Sequence, residues 1–226
     1  MRDDFSAPRY AIPVKERIAL PLALMLVFAL SRIPGMLPQN FSAAYALVFC
    51  AGVFFRGRMA WWFPLTVLLV TDIGLNLYYW LCLGYNVWDL PVLKYQLLNY
   101  VAYAAIIWLG KRFKPQSSFL ALLGGGVLGA ILFYLITNTA SWLFNPFQNP
   151  EYTKNFTGWL TALTKGTGGY PSTWEFFRNT LLSGGLFTGL FVGAMKLTAE
   201  SPVEKVAGAK TEEEPEADAE PEEAKA

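Results

Sequence analysis

The chain contains no histidine. That absence removes Ser-His and Cys-His catalysis, the HExxH metalloprotease motif, and zinc or haem ligation through imidazole. Cysteine is nearly absent too. Cys50 and Cys82 each stand alone in an apolar segment, which excludes a disulfide framework and a cysteine-built zinc site. No GxxxxGK[ST] motif occurs, so any use of ATP would be borrowed from another protein. A second Asp to pair with Asp72 is missing from the apolar runs. The expectation is therefore a protein that is not an enzyme, with no cofactor, no metal and no nucleic-acid partner.

Charge is the other scarce commodity. Only 15% of residues are charged, against 54% hydrophobic and 16% aromatic. That balance does not suit a soluble domain. The acidic residues are also displaced to one end. Ten of the 17 fall within 198–226, which leaves residues 1–197 with 15 basic and seven acidic groups. A basic apolar body thus carries an acidic tail rich in Glu, Ala and Pro, and a tail of that composition is expected to be disordered.

What is present is a series of apolar runs, at about 18–31, 41–55, 59–83, 91–110, 119–144 and 174–197. A helical span needs about 20 residues, so the last four qualify readily and the first two are short. The loop between those two, SRIPGMLPQN, is rich in Pro and Gly. Loop charge supports six crossings. The N-terminal side, the 56–58 loop, the 111–114 loop and the C-terminal side hold 13 of the 18 basic residues. The opposite loops hold only Arg32, Lys154 and Lys165. The positive-inside rule then places both termini in the cytoplasm. The expected fold is an all-α integral membrane protein, a six-helix transmembrane bundle at 18–197, with a cytoplasmic segment at 1–17 and a cytoplasmic tail at 198–226. The apolar spacing of Phe156, Trp159, Leu160 and Leu163 adds a short amphipathic helix at the outer surface.

With this topology the polar residues sort by depth. Asn40 stands at the outer start of the second run, Asp72 and Asn76 in the middle and outer half of the third, and Gln96, Asn99, Asn138, Trp142, Arg178 and Asn179 in the outer halves of the others. The inner halves, such as CAGVFF, VAYAAIIWLG and FLALLGGGVL, hold no charge and no carboxamide. A cup open to the outside fits this pattern better than a channel, which needs polar lining throughout. Each residue also has a plainer use. Asn40 could cap the second helix. Ser172-Thr173-Trp174-Glu175 reads as a capping box, making Glu175 structural, and Lys94 can snorkel to the interface. Asp72 is harder to dismiss, because a mid-membrane carboxylate needs a partner or a proton. Arg178 is its expected partner, either directly or through a shared charged ligand. Glycines four apart, Gly125 and Gly129 and then Gly185, Gly189 and Gly193, point to closely packed helices.

The runs RIPGMLPQNFSAAYALVFCAGVFF, PLTVLLVTDIGLNLYYW, LITNTASWLF and FFRNTLLSGGLFTGLF, spread over roughly 30–195, resemble a bacterial family of small membrane proteins of unknown function. Those proteins are similar to the substrate-binding S components of energy-coupling-factor (ECF) vitamin transporters. The family pattern maps onto Asn40, Asp72, Asn138, Trp142, Arg178 and Asn179; where members often carry a histidine before the Asn-Phe pair, this chain has Gln39. The resemblance implies a solute-binding subunit in the bacterial inner (plasma) membrane. It would take a small nutrient or vitamin-like molecule from outside, with a transmembrane coupling subunit and cytoplasmic ATPases as partners. Ala19 and Ala23 fit the small-residue spacing that meets the coupling subunit in that class. The alternative is a structural or scaffold membrane protein, similar to those of the rod-shape machinery.

Overall fold

The computed structural model describes residues 14–200, with side chains described for 23–197. The expectations for residues 1–13 and for the tail beyond 200 lie outside them. All regular structure among the described residues is helical: α1 (Val14–Ser31), α2 (Ala44–Phe54), α3 (Met59–Leu83), α4 (Leu90–Gly110), α5 (Phe119–Phe144), α6 (Phe156–Thr164) and α7 (Thr173–Glu200). Local chemistry sets several boundaries. Gly84, at φ +70°, ends α3 in the left-handed conformation that glycine reaches without strain. Asp89 precedes α4 and Pro91 opens it. Ser118 Oγ accepts from Ala121 N at 3.2 Å at the start of α5, and Asn155 Oδ1 accepts from Gly158 N at 2.8 Å at the start of α6.

Four of these helices, α3, α4, α5 and α7, are long and apolar enough to cross a membrane. The second apolar run differs from its expected form. It yields a helix of only 11 residues, about 16 Å long, roughly half the thickness of a hydrocarbon core. The run is shortened at its start because Asn40 sits at φ +60° in a turn closed by Phe41 N and Pro38 O at 3.0 Å. Asn is among the few residues that tolerate that conformation. Asn40 is therefore a turn residue four positions before α2, not its cap. Ser42 Oγ instead accepts from Ala44 N, and Ser31 Oγ from Ala43 N, both at 3.1 Å.

α2 is apolar all round, and a helix of that kind belongs in an interior. Residues 44–53 are all buried, and α1, α3, α4, α5 and α7 all pack against it. Around this hub the longer helices alternate in direction. The segments 32–43, 84–89 and 145–172 share one end, where Tyr95 meets Phe147 at 5.7 Å and Asn179 Nδ2 donates to Gln39 O at 3.0 Å. The segments 55–58 and 111–118 share the other, where Phe49 meets Phe113 at 5.4 Å and Lys111 lies 5.8 Å from the Trp61 ring centroid.

Glycine does pack the helices, though partly at other positions than the stripes predict. α2 and α4 meet backbone to backbone at Gly52 and Gly110. A Cβ on either would press into a main-chain carbonyl, that of Ile107 or Phe49 respectively. Gly125 faces Phe49 and Phe113, and Gly129 faces Ile106. Against α7, however, α5 uses Gly126 and Ala130, which meet Thr188 and Gly184. That ladder runs one residue off the 185–189–193 stripe, and a Cβ at Gly193 would meet nothing within 4 Å. Small residues four apart on both helices are what allow this approach.

Gly110→Ala provides the test. Replacing a helix glycine by alanine gains at most about 0.5–1 kcal/mol, and less at the last position of α4, whereas overpacking costs about 1–3 kcal/mol. The atoms in the way are backbone and cannot swing aside, so overpacking wins. Gly110→Ala should lower the melting temperature in detergent, while Gly193→Ala should hold or raise it.

Candidate functional site

The site is built where α1 ends and where α3 and α4 run side by side. Arg32 follows the last residue of α1, and its Nη2 donates to Asp72 Oδ1 in the middle of α3. This is the one ion pair among the described residues. The Tyr100 hydroxyl of α4 donates to Asp72 Oδ2 at 2.7 Å, so both carboxylate oxygens are engaged. The guanidinium also lies 5.6 Å from the centroid of the buried Phe28 ring. The Arg32 and Asp72 side chains are 18% and 17% exposed, mostly withdrawn from solvent, and each charge is answered within the fold.

One helical turn further along α3, and one turn back along α4, the antiparallel register brings together the two carboxamides Asn76 and Gln96. Asn76 Nδ2 donates to Gln96 Oε1 at 3.1 Å, and Gln96 Nε2 donates to Asn76 Oδ1 at 2.8 Å. Asn76 is buried. Asn99 belongs to the same layer but differs in one respect: its Oδ1 is buried with no hydrogen-bond partner. A turn beyond it, Tyr103 stacks on Phe133 at 5.2 Å, and Tyr45 of α2 meets the same ring at 4.8 Å. A shallow groove of about 360 Å³ opens beside Arg32, between the end of α1 and α3, lined also by Ile33, Thr71, Gly74 and Tyr78.

The remaining predicted residues lie at this same end but serve other contacts. Asn179 holds the Gln39 carbonyl and so ties α7 to the turn containing Asn40. Asn138 Nδ2 donates to Tyr134 O, one turn back in its own helix, at 2.9 Å. Trp142 Nε1 donates to Thr153 O at 2.7 Å. Lys154 Nζ in turn donates to the Trp142 and Leu143 carbonyls, covering the C-terminal end of α5. The Ser172 hydroxyl meets Glu175 Oε1 at 3.2 Å, in keeping with a structural Glu175, and Lys94 is exposed.

α6 is not a uniform amphipathic face. Trp159 Nε1 donates to Thr139 Oγ1 at 3.0 Å, and Leu163 O accepts from the Tyr134 hydroxyl, while Phe156 and Leu160 stay exposed. In the connection around it, Glu151 Oε1 accepts from Gly168 N at 3.0 Å, which holds that carboxyl below its ordinary range.

The direct Asp72–Arg178 pair does not form. Arg178 is exposed and has no carboxylate partner among the described residues. α3 packs on α2 and α4, whereas α7 packs chiefly on α5 and α2, so Arg32 reaches Asp72 instead. Arg32 and Tyr100 are thus the members of the cluster that the sequence-based set omits. A signal for the first exists: Arg32 is the sole charge between 18 and 55, and Asp72 the sole charge between 59 and 88. Two isolated opposite charges in adjoining apolar stretches each need an answer, and each is the obvious answer to the other.

Either single substitution, Asp72→Asn or Arg32→Gln, should therefore destabilise the protein. The ceiling is the roughly 3–5 kcal/mol seen when a fully buried pair is broken, lowered by the partial exposure of both groups. The double variant should recover part of the loss. Arg178→Gln should change the melting temperature little and add strictly to Asp72→Asn. A double-mutant cycle on thermal unfolding reads both outcomes.

Among the described residues no group of three or more Cys, Asp or Glu side chains converges to hold a metal ion. Comparison with curated proteins and with solved structures finds no match. One family does match, over residues 13–206, a stretch that takes in all the helices just described. The chain belongs to the family of unknown function DUF6580.

Proposed function

We propose that this chain is a membrane-embedded solute-binding subunit, similar in role to an ECF S component. It captures a small nutrient or vitamin-like molecule from outside, without chemistry on it, and hands it to a transmembrane coupling subunit driven by cytoplasmic ATPases. In this reading the protein crosses a bacterial plasma membrane six times, with α1, and α2 with its flanking residues, supplying two passages, and both termini are cytoplasmic. The polar layer then faces outward. The basic end, with Arg56, Arg58, Lys111, Arg112 and Lys114, faces the cytoplasm as the positive-inside rule requires.

The observation that carries the reading is Asn99. A buried carboxamide oxygen left without a donor costs about 1–3 kcal/mol. In a layer whose other carboxamides satisfy one another, that oxygen is the natural acceptor for a ligand N–H or O–H. One turn along α4 from Asn99, Tyr103 packs on Phe133 and Tyr45 meets the same ring, an aromatic setting suited to a planar molecule.

A second reading has its own support. Asp72, Asn76 and Gln96 are already satisfied within the chain, and a self-satisfied network suits a scaffold protein of the cell envelope. Asn99→Leu separates the two. On the binding reading, native mass spectrometry of gently purified wild-type protein shows a co-purified small molecule that Asn99→Leu loses, while the empty variant melts no lower than the empty wild type. A wild-type protein that never carries a small molecule, in a cell where the gene is needed for shape, would favour the scaffold.

Topology has its own check. In a background lacking Cys50 and Cys82, single cysteines at positions 87 and 157 should react with an impermeant reagent from outside. Those at positions 57 and 113 should react only after permeabilisation. Outside labelling at 113 would remove the six-crossing arrangement and the outward cup together.

A further inference from the structure

The end of the bundle opposite the polar layer carries five exposed cations: Arg56, Arg58, Lys111, Arg112 and Lys114. None has a carboxylate partner among the described residues. Two are held in place by aromatic faces rather than by anions: Arg112 lies 4.1 Å from the Trp108 ring centroid, and Lys111 5.8 Å from that of Trp61. Not one acidic residue occurs in 55–58 or in 111–118. The surface is thus a rim of five exposed cations, two of them set against aromatic rings, lacking counter-charge among the described residues.

The complementary charge is elsewhere in the same chain. Residues 201–226 hold nine acidic residues against three lysines, and eight of the nine fall within 212–223. α7 delivers this segment to the basic end, because Gly189 approaches Phe119 and Leu123, at the start of α5, with the C-terminal half of α7 still to follow. α7 also packs on α5 and α2, the helices adjoining the 111–118 and 55–58 loops. Glu212 lies twelve positions after Glu200. A random coil of twelve residues has a root-mean-square reach of about 20 Å, or roughly two helix widths, which sets the scale of the tether. The acidic block also lies beyond residue 206, where the family match ends.

We propose that residues 212–223 dock on the rim formed by Arg56, Arg58, Lys111, Arg112 and Lys114, as an intramolecular electrostatic latch. Tethering makes the encounter unimolecular, with an effective concentration in the millimolar range. Exposed charges attract weakly pair by pair, so the latch depends on several acting together and weakens with salt. Anionic lipid headgroups are the competing occupants of the same cations. Net charge favours the tail: five positive charges face a segment, 212–223, of net −8 that cannot diffuse away. Any acidic partner that docks at this end must first displace it. The latch is independent of what occupies the polar layer.

Zero-length carbodiimide cross-linking of the full chain tests this directly, in nanodiscs of neutral phosphatidylcholine, with peptide mapping. Lys111 and Lys114 should be joined within one chain to carboxylates of 212–223. The yield should fall at least about fivefold between roughly 20 mM and 500 mM salt, as the screening length shrinks. It should fall similarly in Arg56→Gln/Arg58→Gln/Arg112→Gln, which keeps both lysines as reporters. Phosphatidylglycerol added to the nanodisc should compete. Three results would overturn the latch: no link from 212–223 to Lys111 or Lys114 in neutral lipid, a yield unchanged by salt, or a yield unchanged in the triple variant. If those links are absent while the triple variant sheds co-purified anionic lipid, the rim is a lipid site and the tail does not dock on it.

Discussion

Everything else in this fold hangs on the backbone contact between Gly52 and Gly110. An 11-residue helix has little area with which to hold its neighbours, and α2 must hold five of them. It does so by letting α4 approach to main-chain distance, where dispersion contacts are densest and side-chain entropy costs nothing. In a bilayer the exclusion of water supplies no further force between helices, so close packing of small residues becomes the main attraction. The same device recurs between α5 and α7, at Gly126, Ala130, Gly184 and Thr188. The bundle is held by two glycine-lined seams, and many leucines and several tryptophans are left on the outside, where lipid suits them.

That seam fixes α4, and α4 in turn sets the polar layer. Tyr100 and Gln96 stand one turn apart on α4, and Asp72 and Asn76 one turn apart on α3, so a single antiparallel register satisfies both pairs at once. Arg32 completes the layer from a helix that makes few other contacts with it. A slip of one turn between α3 and α4 would break both matched pairs and leave at least one carboxamide or hydroxyl of the layer without its partner, which is costly in an apolar setting. The layer therefore specifies alignment whatever else it does. Asn99 is the one carboxamide in it that alignment does not account for.

Much of this was legible in the sequence. Six apolar runs and one amphipathic stretch correspond in place to the seven helices, because apolar length and turn residues are strong local signals. The level of Asn76 and Gln96 follows from their positions in the apolar runs. The depth of a residue could be read, but its partner could not. Depth alone pairs Asp72 with Arg178, yet pairing depends on which helices adjoin, and adjacency is a property of the whole bundle. α2 illustrates a second limit: Asn40 in a left-handed turn delays the helix by several residues, and one apolar run cannot tell a membrane span from a buried hub. The glycine ladder on α7 was displaced by one residue for a related reason, since four-residue spacing gives a stripe but not its facing direction.

The two cysteines occupy opposite situations. Cys82 is exposed near the C-terminal end of α3, whereas Cys50 is buried in the middle of α2, inside the hub. The natural chain thus carries its own stopwatch. A membrane-permeant alkylating reagent marks the native protein once, and adds a second mark only in molecules whose hub has opened far enough to admit it. The pace of that second addition measures how often the core breathes, in the manner of amide exchange but at one chosen atom.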